Sequence, residues 1–82
     1  LLLLPDLDLV VCGYGFSDED AFVSLVRFGD GTVLQRVRLA RAHESFTLEA
    51  PDVLHVIIAF HDDVRFAIDG LGGGAPRLRA LP

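Results

Sequence analysis

Between residues 7 and 69 apolar and polar side chains alternate with a period of two, the period of strands whose successive side chains point to opposite faces. The clearest unit is residues 53–60 followed by 64–69. With His61-Asp62-Asp63 as the connection, Phe60 falls opposite Val64, Ile58 opposite Phe66 and Val56 opposite Ile68. That makes one wholly apolar face. The other face pairs Ala59 with Arg65, Ile57 with Ala67 and His55 with Asp69.

A second hairpin is predicted around Asp30-Gly31, a dipeptide suited to a two-residue turn because both central positions take positive φ. Phe28 then faces Val33, Val26 faces Gln35, Ser24 faces Val37 and Phe22 faces Leu39, a mostly apolar inner side. The outer side pairs Arg27 with Leu34, Leu25 with Arg36 and Val23 with Arg38. Two further strands are predicted over 7–16 and 45–49, with turns at 17–20, 42–44 and Pro51-Asp52. The reading is an all-β fold, a small antiparallel meander of about six strands closed as a sandwich or compact barrel. Gly70-Leu71-Gly72-Gly73-Gly74 and the prolines that follow divide the chain into a single β domain over 1–70 and a flexible tail or linker over 71–82.

Residues 7–29 admit a second reading. Ser17 is a fair N-cap, Asp18-Glu19-Asp20 suits a first helical turn, Phe22, Leu25 and Val26 share a helical face, and Gly29 suits a C-cap. Residues 7–12 then form a buried parallel strand. In this version the run Val10-Val11-Cys12-Gly13-Tyr14-Gly15-Phe16-Ser17-Asp18-Glu19-Asp20 resembles the strand–GYxFSD–helix segment of some bacterial SIR2-like proteins, a family that consumes NAD. The resemblance implies a fragment of an α/β enzyme with Gly13, Gly15 and Ser17 lining a nucleotide site at a helix N-terminus. It covers about an eighth of the chain, and the two hairpins depart from that family's alternating strands and helices.

Composition narrows the function. The 82 residues carry a net charge of −5, the wrong sign for a nucleic-acid module. No apolar run approaches the roughly 20 residues that span a bilayer. The single cysteine, Cys12, excludes an internal disulfide framework and multi-cysteine zinc sites, and its apolar strand suggests a small core residue. Every basic residue is Arg, which removes lysine chemistry. A content of 51% hydrophobic residues exceeds what a chain of this size hides, since it buries only about 60–65% of its unfolded surface.

Candidate chemistry is sparse. His55 and His61 share a face about 20 Å apart at strand rise, too far to share a metal, and His43 stands alone. His61-Asp62-Asp63 and Asp18-Glu19-Asp20, the latter with Asp6 and Asp8, read as solvated turns, without EF-hand spacing. Ser17 and Ser45 lack a nucleophile elbow. A sugar-binding sandwich is weakened by the lack of Trp and a sole tyrosine, Tyr14. The sequence therefore predicts no catalytic residue, cofactor or metal. It predicts a non-catalytic interaction or assembly module, with Arg27, Arg36 and Arg38 interleaved with Val23, Leu25 and Leu34 as the surface for a protein partner or another copy, and Arg41 just beyond.

Overall fold

In a computed structural model the chain folds as two four-stranded antiparallel sheets, and the residues described are 1–14, 21–39, 43–58, 63–71 and 75–82. Sheet A runs β1 (Leu2–Leu4), β2 (Leu9–Tyr14), β3 (Phe22–Arg27) and β4 (Val33–Arg38) in chain order. Sheet B runs β5 (His43–Ala50), β6 (Val53–Ile58), β7 (Asp63–Asp69) and β8 (Arg77–Ala80) in the same fashion. Each sheet is a meander, so every pairing is between sequence neighbours. A 3-10 turn, Pro5–Leu7, joins β1 to β2; Pro at its first position supplies the fixed φ that such a turn needs.

The sheets face one another across a single core. Leu9, Val11, Val23, Leu25 and Leu39 come from sheet A and its flanks; Phe46, Leu54, Val56, Ile58, Phe66, Ile68 and Leu78 come from sheet B. Within each strand these positions are two apart, so the period-two pattern becomes the inner faces of a sandwich.

The all-β architecture agrees with the sequence, with eight strands among the described residues where about six were predicted. The additional two are β1 and β8. β8 lies in the segment predicted to be a tail: it pairs with β7 from Phe66↔Ala80 to Asp69↔Arg77, and Leu78 is buried. Leu78 is the apolar residue between two arginines, and one inward side chain is enough to seat a short edge strand. The alternative helix over 17–28 is overturned across its described part, because Phe22–Arg27 is strand β3. Residues 15–20 lie outside the described residues, so Gly15, Ser17, the turn at 17–20 and Asp18-Glu19-Asp20 do too.

The β6–β7 hairpin keeps its predicted faces but not its register. Val56 lies opposite Val64 and His55 opposite Arg65, so the connection is longer than His61-Asp62-Asp63, and Asp63 belongs to β7. Each partner moves by four positions, Val56 from Ile68 to Val64, and an even shift preserves which side chains point inward. His61, Asp62 and the predicted Phe60 and Ala59 pairs lie outside the described residues.

The β3–β4 hairpin differs in a more consequential way. Its turn spans residues 28–31, closed by Gly31 N–H to Arg27 O at 2.9 Å and Arg27 N–H to Thr32 O at 2.8 Å. Asp30 accepts a bond from Thr32 N–H at 2.9 Å, while only Gly31 takes positive φ. Beyond the turn, Val26 pairs with Val33 but Leu25 pairs with Gln35, leaving Leu34 as the extra residue of a bulge. One inserted residue reverses the parity between the strands. Gln35, Val37 and Leu39 point inward as predicted, but they meet Leu25, Val23 and Ala21 in place of Val26, Ser24 and Phe22.

Candidate functional site

The bulge redistributes the surface predicted from sequence. Val23 and Leu25 are 0% exposed and cannot line any surface. Leu34 turns inward and packs on the core. Arg27 sits at the turn end of sheet A, opposite Leu9, with its guanidinium 3.3 Å from Asp30 Oδ2. Arg36 and Arg38 do lie on the outer face, where their cross-strand neighbours are Ser24 and Phe22. Arg36 lies 4.4 Å from the centroid of the Phe22 ring and donates to Ser24 Oγ at 3.3 Å, so its flat cation caps an aromatic. Arg41 lies outside the described residues.

What replaces that surface is a row the registers build directly. Leu3 pairs with Val10, Val10 with Val26, and Val26 with Val33, one aliphatic residue from each strand of sheet A. Leu3 is 54% exposed and Val33 51%; Phe28, at the adjoining turn, is 49%. Cys12, predicted as a core residue, is half-buried on this same outer face opposite Ser24, because Val11 beside it takes the inward position.

The outer face of sheet B has the opposite chemistry. Thr47, His55 and Arg65 form a polar row across β5, β6 and β7. His55 Nε2 donates to Asp63 Oδ2 at 2.8 Å, displacing the predicted His55–Asp69 pair. Arg65 bridges Asp63 at 3.3 Å and Glu49 at 2.6 Å, and Arg79 holds Asp69 at 2.8 Å. The bond from His55, then the charge of Arg65, holds the Asp63 carboxyl below the usual aspartate range. Arg79 does the same for Asp69. These groups satisfy one another in water, and no nucleophile is bonded to His55 among the described residues.

The two sides of the sandwich also differ. At the β4–β8 side Gln35 bonds Leu78, closing the gap between sheets. Beside β1 lies an open groove of about 310 Å³, lined by Leu3, Leu4, Pro5 and Leu7 on one wall and Leu48 and Pro51 on the other, with Asp6 at its rim. Asp18-Glu19-Asp20, grouped with Asp6 and Asp8 from sequence, lies outside the described residues; Asp8, at φ 56°, accepts Gly29 N–H at 2.8 Å. No group of three or more His, Cys, Asp or Glu is disposed to hold a metal among the described residues. Ser45 lies exposed on β5. No described helix is long and apolar enough to cross a membrane.

Compared with protein-family models, curated proteins and solved structures, the chain matches none.

The aliphatic row was legible only in part. Leu3, Val10, Val26 and Val33 each look like ordinary strand residues, and their alignment depends on registers set by the Pro5–Leu7 turn and the bulge.

Proposed function

We propose that the chain is a non-catalytic assembly module that engages a protein partner or another copy of itself through sheet A. The observation that carries this reading is the contrast between the two outer faces. Sheet B presents ion pairs among His55, Asp63, Arg65, Glu49, Asp69 and Arg79, with half-buried Ile57 beside Asp63. Sheet A presents Leu3, Val10, Val26 and Val33 in one row, with Phe28 beside it. Contiguous apolar area of this kind costs free energy in water unless something covers it. Arg36 flanks the row on an aromatic base, the combination enriched at protein interfaces. The resemblance to an NAD-consuming enzyme gains no support, since the strand over Phe22–Arg27 removes the helix whose N-terminus would hold a phosphate.

The test is the solution mass of the chain by light scattering across a dilution series. Leu3→Lys with Val33→Lys on sheet A is compared with Thr47→Lys with Ile57→Lys on sheet B. The sheet A pair is expected to lower the average mass at a given concentration, and the sheet B pair to leave it. A chain that is monomeric throughout, or that responds only to the sheet B pair, overturns the reading.

A further inference from the structure

We propose that Arg36 anchors a carboxylate, and that the outer face of sheet A binds an extended segment of a partner protein in which Asp or Glu alternates with apolar side chains. The inference rests on the reading above that sheet A engages a protein, and it names the chemistry of that partner. Without the partner, the same aliphatic row draws copies of the chain together.

The strands of sheet A contain no Asp or Glu, although the whole chain carries a net charge of −5. In sheet B, by contrast, β5 carries Glu44 and Glu49, and β7 carries Asp63 and Asp69. Several arginines meet carboxylates: Arg27 holds Asp30, Arg65 holds Glu49 and Asp63, and Arg79 holds Asp69. Arg36 holds none among the described residues, where its contacts are the Phe22 ring and Ser24 Oγ. Exposed Arg77 on β8 also pairs with no carboxylate there, but no described side chain fixes it in place.

Arg36 is thus held ready. Stacking on Phe22 at 4.4 Å and donation from Nε to Ser24 at 3.3 Å fix the guanidinium, and its Nη1 and Nη2 groups remain as the fork that fits a carboxylate. The rotamer freedom that a loose arginine gives up on binding is already lost. The bulge at Leu34 also sets Arg36 on the same face as Val33; without the extra residue the two would point to opposite sides. Cys12, Ser24 and Arg36 therefore form the row beside Val10, Val26 and Val33, roughly 7 Å away along the strands. An extended segment carries alternate side chains at that same spacing, so one apolar residue and one acid cover both rows. Nucleic acid and anionic lipid surfaces offer anions too, but over an area that meets the acidic chain as a whole and repels it. A short segment meets only the local face.

The experiment selects a displayed library of random short peptides on the whole 82-residue chain. Enrichment of sequences in which Asp or Glu alternates with Leu, Ile, Val or Phe is expected. An enriched peptide, titrated by calorimetry, is expected to lose affinity on the order of tenfold or more with Arg36→Gln. Arg36→Lys, which keeps the charge without the fork, should recover only part of it, and Arg77→Gln should bind as the parent does. Bound peptide should also slow alkylation of Cys12, which shares the Arg36 row. Enriched peptides that are apolar without an acid, and that Leu3→Lys with Val33→Lys releases, leave the assembly reading standing and overturn this inference. Full binding by Arg36→Gln, unprotected Cys12, or no enriched peptide at all overturns it too. So does flotation of the chain with phosphatidylserine vesicles in place of acidic peptides. Peptide binding and solution mass that both ignore the Leu3 and Val33 lysines overturn the two readings together.

Discussion

The carboxamide of Gln35 grips the backbone of Leu78 at both ends: Leu78 N–H donates to Oε1 at 2.6 Å, and Nε2 donates to Leu78 O at 3.2 Å. Leu78 sits opposite Ile68 in β8, and Ile68 sends its own N–H to Asp52 on the far side, so the polar groups of Leu78 point away from β7. A primary amide has the same donor and acceptor as a peptide bond. Gln35 therefore stands in for a neighbouring strand and ties sheet A to sheet B across 43 residues of chain.

Gln35→Ala is expected to cost about 2 kcal/mol, since it leaves two half-buried backbone groups without partners. That lowers Tm by roughly 8–16 °C for a domain of this size, read by circular dichroism or calorimetry. Gln35→Glu should be intermediate at neutral pH: the carboxylate still accepts from Leu78 N–H but repels its carbonyl. An alanine variant as stable as the parent would mean that β8 is held without the clamp.

Leu25→Ala and Val26→Ala separate the observed bulge from an unbroken ladder. Leu25 is 0% exposed, so its truncation should cost about 2–5 kcal/mol. Val26 lies on the outer face and should cost under about 1 kcal/mol. Urea midpoints in the reverse order would restore the parity read from sequence.

Glycine replacements probe the loops. Gly31 and Gly70 both take positive φ, at 76° and 79°. At Gly31 an added Cβ meets nothing, so Gly31→Ala should cost only the left-handed backbone, about 1–2 kcal/mol. At Gly70 the Cβ would stand 2.5 Å from the Ala75 carbonyl oxygen, which forces the β7–β8 connection to move. Gly70→Ala should therefore be the more damaging, with faster amide exchange concentrated in β8.

Acid should destabilise the fold through three aspartates. Asp30, bonded by Thr32 N–H, Asp63, bonded by His55, and Asp69, bonded by Arg79, are all held below the ordinary range. A carboxyl lowered in the folded state stabilises above its unfolded pKa, and that contribution disappears as pH falls through the folded value. Stability should thus decline as pH falls below the ordinary aspartate range, about pH 4. Each contribution is small because the groups are exposed. Asp63→Asn should flatten part of this slope in urea titrations; an unchanged slope would mean that the His55 and Arg65 bonds do not persist in solution.

By itself the sequence determined the class of fold and most of its inward-facing residues. Alternation with a period of two runs through β6 and β7, so their inner face survived a shift of register by four positions, an even number. The same alternation identified Gln35, Val37 and Leu39 as inward and Arg36 and Arg38 as outward. It did not reveal Leu34 as a bulge, because an extra residue leaves no mark in composition, and that one residue exchanged Val23 and Leu25 with their neighbours between surface and core. Tertiary structure alone decided the rest. β1 and β8 are too short and too uniform to be recognised until a neighbouring strand supplies their hydrogen bonds. The aliphatic row on sheet A, the open groove beside β1 and the grip of Gln35 on Leu78 join residues distant in the chain, and only the packing of two sheets brings them together.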